Sequence, residues 1–297
     1  MCNNIKIELV KSRHGRFYIM PNDIVIGKSL QNYGEYAEHE MMLLSHWIES
    51  EDTVIDVGAN IGTHSAFFSH QVGPKGEVLA FEAQPQLFHL LEKNIDENNC
   101  KNVKAFNVIV GEFTEEIATM IPDYNRDGNF GAFSFRIDNL GQYLPMDNRK
   151  GKLKLPGITL DELDVRNCNL LKVDTEGMER EIVAGAVKMI KKFRPILYLE
   201  NNNRSSSPAL IEQIYSLDYQ VYWHVISYYR PDNFLMFMKN IFTAPLELNL
   251  FCVPKESDIE DFGLPVVAGS NQWIPDEIKK NKFDVDDLLL TAELYGR

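Results

Sequence analysis

The chain has 297 residues, 44% hydrophobic and 25% charged, with 43 acidic against 30 basic side chains and a formal net charge of −13 at pH 7. These proportions exclude collagen-like, low-complexity and disordered classes and leave a soluble globular protein of one large or two small domains with a full core. The negative balance repels nucleic acid, whose binding needs a basic stripe, and the clusters Arg149 to Lys154, Lys188 to Arg194 and Lys279 to Lys282 read as solvated faces.

From the amino terminus, MCNNIKIELVKSRHGR offers no apolar stretch of the kind a secretory leader carries. Ile5 to Ile26 reads as two or three strands turning at His14-Gly15, and Glu38 to Trp47 as a helix. Thr53 to Val57 (TVIDV) is a short apolar strand running into a glycine-rich turn, and Thr63 to Val72 has helical spacing. Glu77 to Phe81 (EVLAF) is a second strand, followed by Leu87, Leu90, Leu91 and Ile95 on one helical face. Val103 to Val110 reads as a third strand, with loops and a hairpin inserted over residues 112 to 158. Leu170 to Val173 is a fourth strand and Ile196 to Leu199 a fifth, joined by a helix over Met178 to Lys192. Gln220 to Ile226 and Leu246 to Val253 predict an antiparallel pair enclosing a long insertion, and an acidic tail from Glu256 ends in a helix over Asp284 to Leu294.

Strand, helix and strand alternating at these lengths imply an α/β fold, a mostly parallel sheet with helices on both faces. The division expected is amino-terminal strands and a helix over 1–50, a core over 51–254 and an extension over 255–297. Cys2, Cys100, Cys168 and Cys252 form no CxxC pair, so neither a zinc site nor a disulfide framework is expected. A reduced, cytoplasmic setting fits best. The longest uncharged stretch, Val57 to Pro74, is too polar to span a bilayer.

The first chemical signal is Asp56-Val57-Gly58-Ala59-Asn60-Ile61-Gly62, where the first core strand turns into its helix. Open sheets bind ligands at that edge, and glycine lets the backbone approach an adenosine-type cofactor closely. The dinucleotide fingerprint GxGxxG fails, because Asn60 and Thr63 stand where glycines are needed. In D-x-G-x-N-x-G the acid before the first glycine suits a cofactor bearing an ammonium or sulfonium instead of a pyrophosphate. Glu82 closes the second strand, where a carboxylate accepts hydrogen bonds from ribose hydroxyls.

Lys172 and Asp174 share a face of the fourth strand, and a lysine in a buried strand needs a partner. Asp174 sits at the strand end beside the cofactor edge; Glu176 and Glu179 enter the next helical turn, where acids also favour the helix dipole. Glu200 and Asn201 end the fifth strand, so that Asp174, Glu200 and Asn201 would converge on one cleft, to hydrogen-bond a sugar or to hold a divalent cation such as magnesium. His224 shares a face with Tyr222 and is a candidate for taking a proton near neutral pH.

These residues resemble the FkbM-type methyltransferases of the class I, S-adenosylmethionine-dependent fold. The likeness runs from about Arg16 to Pro254 and rests on Gly34-Glu35-Tyr36 with Glu38, VIDVGANIG over 54–62, Phe81-Glu82 with Pro85, NVIVGE over 107–112, Thr159-Leu160-Asp161, KVDTEGME over 172–179, and Arg194-Pro195 with Glu200. The family usually has proline where Ala83 stands. The resemblance implies a Rossmann-like, seven-stranded sheet with an antiparallel last strand. It also implies O-methylation of a hydroxyl on a sugar, glycan precursor or natural product, with S-adenosyl-L-methionine as methyl donor. The expected cofactor residues are Tyr36, Asp56, Gly58, Ala59, Asn60, Gly62, Glu82, Asn107 and Asp174. An aliphatic hydroxyl needs a base or a metal to lose its proton. Asp174 is the first candidate base and His224 the second, with Lys172 and Glu200 beside them; the metal alternative uses Asp174, Glu200 and Asn201. The insertion Ser227 to Ala244, with Tyr228, Tyr229, Phe234, Phe237 and Phe242, supplies either an aromatic wall over the acceptor or a homodimer contact. Two rivals stay open: a catalytically silent cofactor-binding scaffold in a glycan-assembly complex, and a nicotinamide-dependent oxidoreductase, which predicts a complete GxGxxG.

Overall fold

The computed structural model of the protein describes residues 5–133, 149–242, 246–257, 263–274 and 276. The expected helix at Asp284 to Leu294, the cluster Lys279 to Lys282 and the middle of the 112–158 insertion lie outside them. The centre is a seven-stranded sheet built from β3 (Thr53–Val57), β4 (Glu77–Phe81), β5 (Val103–Phe106), β9 (Leu170–Val173), β10 (Ile196–Glu200), β11 (Tyr219–Ser227) and β12 (Leu246–Pro254). Their order is β11-β12-β10-β9-β3-β4-β5. Neighbours from β10 to β5 pair in parallel, while β12 runs antiparallel to both β10 and β11. This is the mostly parallel seven-stranded sheet, with the antiparallel last strand, expected from the sequence.

Strands buried on both faces read as continuous apolar runs, and all five residues of β3 are buried. Helix α3 (Thr63–Val72) returns the chain to β4. Helix α4 (Pro85–Glu97) opens on a proline, which has no N–H to leave unsatisfied, and buries Leu87, Leu90, Leu91 and Ile95 as the spacing predicts. One sheet face packs Val57, Val173, Leu199 and Trp223 against the later helices, and the other packs Val54, Tyr198 and Phe251 against Phe67, Phe68 and Leu44.

Several boundaries differ from expectation for local reasons. The single strand Val103 to Val110 breaks at Asn107, whose amide donates to the carbonyls of Glu82 and Ala83 at 2.8 and 3.0 Å and turns the chain. Beyond the turn, β6 (Ile109–Val110) joins a second, three-stranded sheet with the inserted hairpin of β7 (Glu116–Pro122) and β8 (Arg149–Ile158). The helix expected over Met178 to Lys192 is two, α5 (Glu179–Ala184) and α6 (Val187–Phe193). Between them a Cβ on Gly185 would lie 2.0 Å from the Gly111 carbonyl oxygen, so the chain there must pass as glycine. At the amino end only β1 (Glu8–Ser12) and β2 (Gly15–Ile19) are strands; α1 (Ile26–Asn32) occupies the end of the expected third, and α2 (Glu38–Ser45) follows. Helix α7 (Ser207–Tyr215) between β10 and β11 had no sequence expectation. Residues 263–274 dock on β11, where Trp223 donates its N–H to the Pro265 carbonyl at 2.8 Å. Among the described residues no helix is long and apolar enough to cross a membrane.

Register positions the site. Asp56 pairs with Lys172, Lys172 with Tyr198, Tyr198 with Phe251 and Phe251 with Tyr222, so these side chains form one row on the face covered by α2 and α3. One side-chain step toward the carboxyl ends stand Asp174, Glu200, Asn249 and His224, and beyond them Glu247.

Candidate active site

The turn after β3 and the turn after β9 touch. Gly58 has φ +83° and a Cβ there would lie 1.8 Å from the Asp174 carbonyl oxygen, so neither a side chain nor ordinary backbone geometry fits. The N–H groups of Gly58 and Ala59 both donate to the Phe81 carbonyl, at 2.9 and 3.0 Å. Asn60, at φ +51°, donates its N–H to Glu82 Oε2 at 2.9 Å, and Gln84 donates its own to Glu82 Oε1 at 2.7 Å. Glu82 is thereby fixed at the lip of β4, and its burial pushes its carboxyl up to about 7. Each carboxylate oxygen keeps a further lone pair for a ligand.

These turns line a cleft that opens to solvent at its mouth. Its far side is acidic. Lys172 Nζ lies 3.2 Å from Asp174 Oδ2 and 3.9 Å from Asp56 Oδ1, and Ser65 Oγ donates to Asp56 Oδ2 at 2.6 Å. Burial pulls the Lys172 ammonium toward deprotonation, but Asp174, Asp56, Glu40 and Glu247 outweigh it and hold the pKa above its ordinary value. Glu176, at φ +55°, donates its N–H to Glu200 Oε2 at 2.9 Å, and burial together with the surrounding carboxylates, Asp174 first among them for Glu176, raises both carboxyls well above the usual range. Glu179 shapes the loop: its Oε1 accepts from Thr175 N–H, Thr175 Oγ and Gly177 N–H at 3.2, 3.1 and 3.0 Å. Tyr36 stacks on Tyr228 with ring centroids 5.5 Å apart and meets His64 edge-on.

Residues 56–221 match the model of the methyltransferase FkbM domain. The chain belongs to this family. It is 29% identical over 161 residues to the hexuronic acid methyltransferase AglP of Haloferax volcanii, covering 52% of this chain and 58% of that protein. Methyltransferase 1 of Beauveria bassiana is 27% identical over 147 residues, covering 44% and 57%. The matches thus span little more than half of either relative. Among solved structures, an FkbM methyltransferase from Methylobacillus flagellatus superposes with a TM-score of 0.42 at 20% identity, covering 68% of this chain and 43% of that one. A SAM-dependent O-methyltransferase from Thermotoga maritima gives 0.44 at 13% identity, covering 85% and 79%.

In this FkbM domain the cleft brings together Tyr36, Gly58, Ala59, Asn60, Glu82, Lys172, Asp174 and Glu200 of the residues expected from sequence. The others act from outside it. Asp56 lies beneath the loop, fully buried, and faces Lys172 and Ser65 where the motif suggested a ligand's positive charge. Gly62 begins α3 at φ +86° against Leu91, and Asn107 anchors the turn after β4. Of the set Asp174, Glu200 and Asn201, the first two line the cleft, whereas Asn201 donates its amide to Ser207 Oγ at 2.8 Å and lines with Glu200 a small adjoining hollow. Among the described residues no group of three or more His, Cys, Asp or Glu is arranged to hold a metal ion.

His224 also departs from expectation. It is fully buried under α2, its Nδ1 lies 2.8 Å from Tyr198 Oη, and it does not line the cleft. Burial, with His39 nearby, pushes its pKa down to about 3, so it is a neutral ring at pH 7. Of the insertion's aromatics only Tyr228 reaches the cleft; Tyr229, Phe237 and Phe242 pack on Tyr33, and Phe234 lies under Arg13. Sequence reasoning missed His64, Glu40 and Glu247. The last had a signal: in Leu246-Glu247-Leu248-Asn249-Leu250 polar residues alternate with leucines, which in a strand buried on both faces demands polar partners.

Proposed function

We propose that this chain is a methyltransferase that uses S-adenosylmethionine to O-methylate a hydroxyl on a sugar, glycan precursor or related natural product. The observation that carries the reading is the contact of the Gly58 turn with the Asp174 turn, facing Glu82 across a cleft at the carboxyl ends of parallel strands. The residues fit the donor. The backbone at Gly58–Asn60 admits an adenosine where a Cβ has no room, Glu82 offers lone pairs to ribose hydroxyls, and the acidic wall with the Tyr36 ring suits an ammonium and a sulfonium. The donor supplies a methyl carbon already activated by the positive sulfur. The protein's own task is to align the acceptor, exclude water and accept a proton. In this reading Asp174, held by Lys172, orients the ligands where the two halves of the cleft meet, and Glu200 with Glu176 fixes the loop that carries it.

The name of the Haloferax relative supports a sugar acceptor. The net charge of −13 supports a small-molecule or glycan partner over nucleic acid. Buried, unpaired Cys100, Cys168 and Cys252 fit a cytoplasmic setting, and 51–254 is taken as the catalytic core.

The test incubates purified protein with methyl-labelled S-adenosylmethionine and a panel of methyl glycosides, nucleotide sugars and hydroxylated metabolites, read by mass spectrometry. Label on an oxygen supports the reading. Binding of S-adenosylhomocysteine without transfer to any acceptor favours the silent scaffold, and binding of NAD without binding of the sulfonium ligand overturns the cofactor assignment.

A further inference from the structure

Glu247 closes the cleft from β12, three strands across the sheet from β3. It is 4% exposed, and its carboxyl is hydrogen-bonded to the Tyr228 hydroxyl and to the carboxyl of Glu40 on α2. Glu40 stands directly behind it at 1% exposure. Its Oε1 accepts from Asn249 Nδ2 at 3.1 Å, and its Oε2 lies 3.0 Å from His64 Nε2. Two buried carboxyls in hydrogen-bond contact cannot both ionise and hold one proton between them. Burial raises Glu40 to about 7 and Glu247 well above the ordinary range, so at neutral pH the pair keeps a proton on Glu247 and its negative charge lies toward Glu40.

The surroundings leave that charge free for chemistry. Lys172 is claimed at contact distance by Asp174 and Asp56. Burial and the nearby Lys172 push His64 down to about 3, so it faces Glu40 as a neutral ring. Glu176 and Glu200 face the pair from the β9 and β10 ends, where burial raises their own carboxyls well above the usual range, and Asp174 acts on the pair as a nearby negative charge. Asp174 is ion-paired; Glu247 has no cation in contact among the described residues and points into the cleft.

Resting on the methyl-transfer reading, we propose that Glu247 is the catalytic residue that takes the acceptor hydroxyl's proton, and that Glu40 is the positioning residue that shares its charge. The O–H bond breaks with its proton passing to Glu247 as the proton already on Glu247 moves to the Glu40 carboxylate. The electron pair left on oxygen forms the new O–C bond, the C–S pair stays on sulfur, and the doubly protonated pair returns its proton to solvent after product leaves. The base therefore sits at the wall of the cleft, away from the Asp174 position expected from sequence.

Two measurements test this. In protein labelled with [5-13C]glutamate, the Glu40 and Glu247 carboxyl carbons titrate as a coupled pair, one above about pH 6.5; E40Q and E247Q each leave the other residue with a single step. With labelled S-adenosylmethionine and the glycoside panel, E247Q lowers single-turnover transfer by about 100-fold or more while S-adenosylhomocysteine affinity stays within about twofold, and E40Q moves the acidic limb of the rate profile. Uncoupled titration, or a wild type that transfers methyl groups while E247Q does so within about threefold, overturns the role of the pair. A wild type that methylates nothing in the panel counts against the methyl-transfer reading, and the role with it. If E247Q loses its cooperative thermal transition, Tyr228→Phe replaces it, removing the phenol's hydrogen bond to Glu247, with a shift in the rate profile expected and an unmoved profile counting against the pair.

Discussion

Lys172→Met is the sharpest test of how the acidic side of the cleft is held together. The ammonium is 2% exposed and sits 3.2 Å from Asp174 and 3.9 Å from Asp56. Removing one partner of a buried ion pair costs about 3–5 kcal/mol, because the other charge is left without compensation. The two carboxylates do not share that cost equally. Asp174 is 26% exposed and recovers water, whereas Asp56 is fully buried and its Oδ1 accepts no hydrogen bond. Most of the loss is therefore assigned to Asp56, and adding Asp56→Asn to Lys172→Met recovers about half of it, since the amide needs no countercharge. The sign of the pH dependence follows. A lysine with a raised folded pKa contributes fully below its unfolded pKa, so nothing of its own titration shows between pH 5 and 8. In the variant a buried negative charge stands without its counter-ion, so protons favour the folded state and stability falls as pH increases through that window. Urea denaturation followed by the fluorescence of Trp223, buried edge-on against Trp273, gives both numbers. A loss below about 1 kcal/mol, or one equal at pH 5 and 8, refutes the assignment of Lys172 as the countercharge of a buried carboxylate.

Glu82→Ala weakens S-adenosylhomocysteine binding by about 1.5–3 kcal/mol, as charge-assisted hydrogen bonds are lost; unchanged affinity in calorimetry removes Glu82 from the site. Because burial pushes Glu82 up to about 7, wild-type affinity rises between pH 6 and 8 as the accepting carboxylate forms, and a flat profile contradicts ribose contact. Gly58→Ala forces a Cβ to within 1.8 Å of the Asp174 carbonyl, so the two turns separate at a cost of about 1–3 kcal/mol, lowering Tm and abolishing cofactor binding; a folded variant that binds as before shows that the turns do not frame the donor. Chelation leaves methyl transfer unchanged, because Asn201 is turned to Ser207 and among the described residues no three His, Cys, Asp or Glu side chains are grouped to hold a metal; loss of activity restored by magnesium reverses this.

How much could be read beforehand follows from where each residue stands. Parallel strands buried on both faces show as apolar runs, and their carboxyl ends show as abrupt polar residues, which is why Gly58, Glu82, Asp174 and Glu200 were found on the cleft. Asp56 was misread because its motif is local while its partner is set by register: it faces Lys172 only because β3 and β9 pair with those residues opposite. His224 looked free for proton transfer, but the Tyr198 hydroxyl and the cover of α2 become visible only once β10, β11 and β12 are aligned. Glu40 and Glu247 are harder still, lying on a helix and a strand some two hundred residues apart in sequence and both outside the family-matched residues 56–221. The family-matched residues hold the glycine turn and Glu82, which in the proposed reading frame the donor. The carboxyl pair stands on the uncovered half, so relatives that share the glycine turn and Glu82 need not share the group that takes the acceptor's proton, and acceptor chemistry can differ between members without any change in the recognised motif.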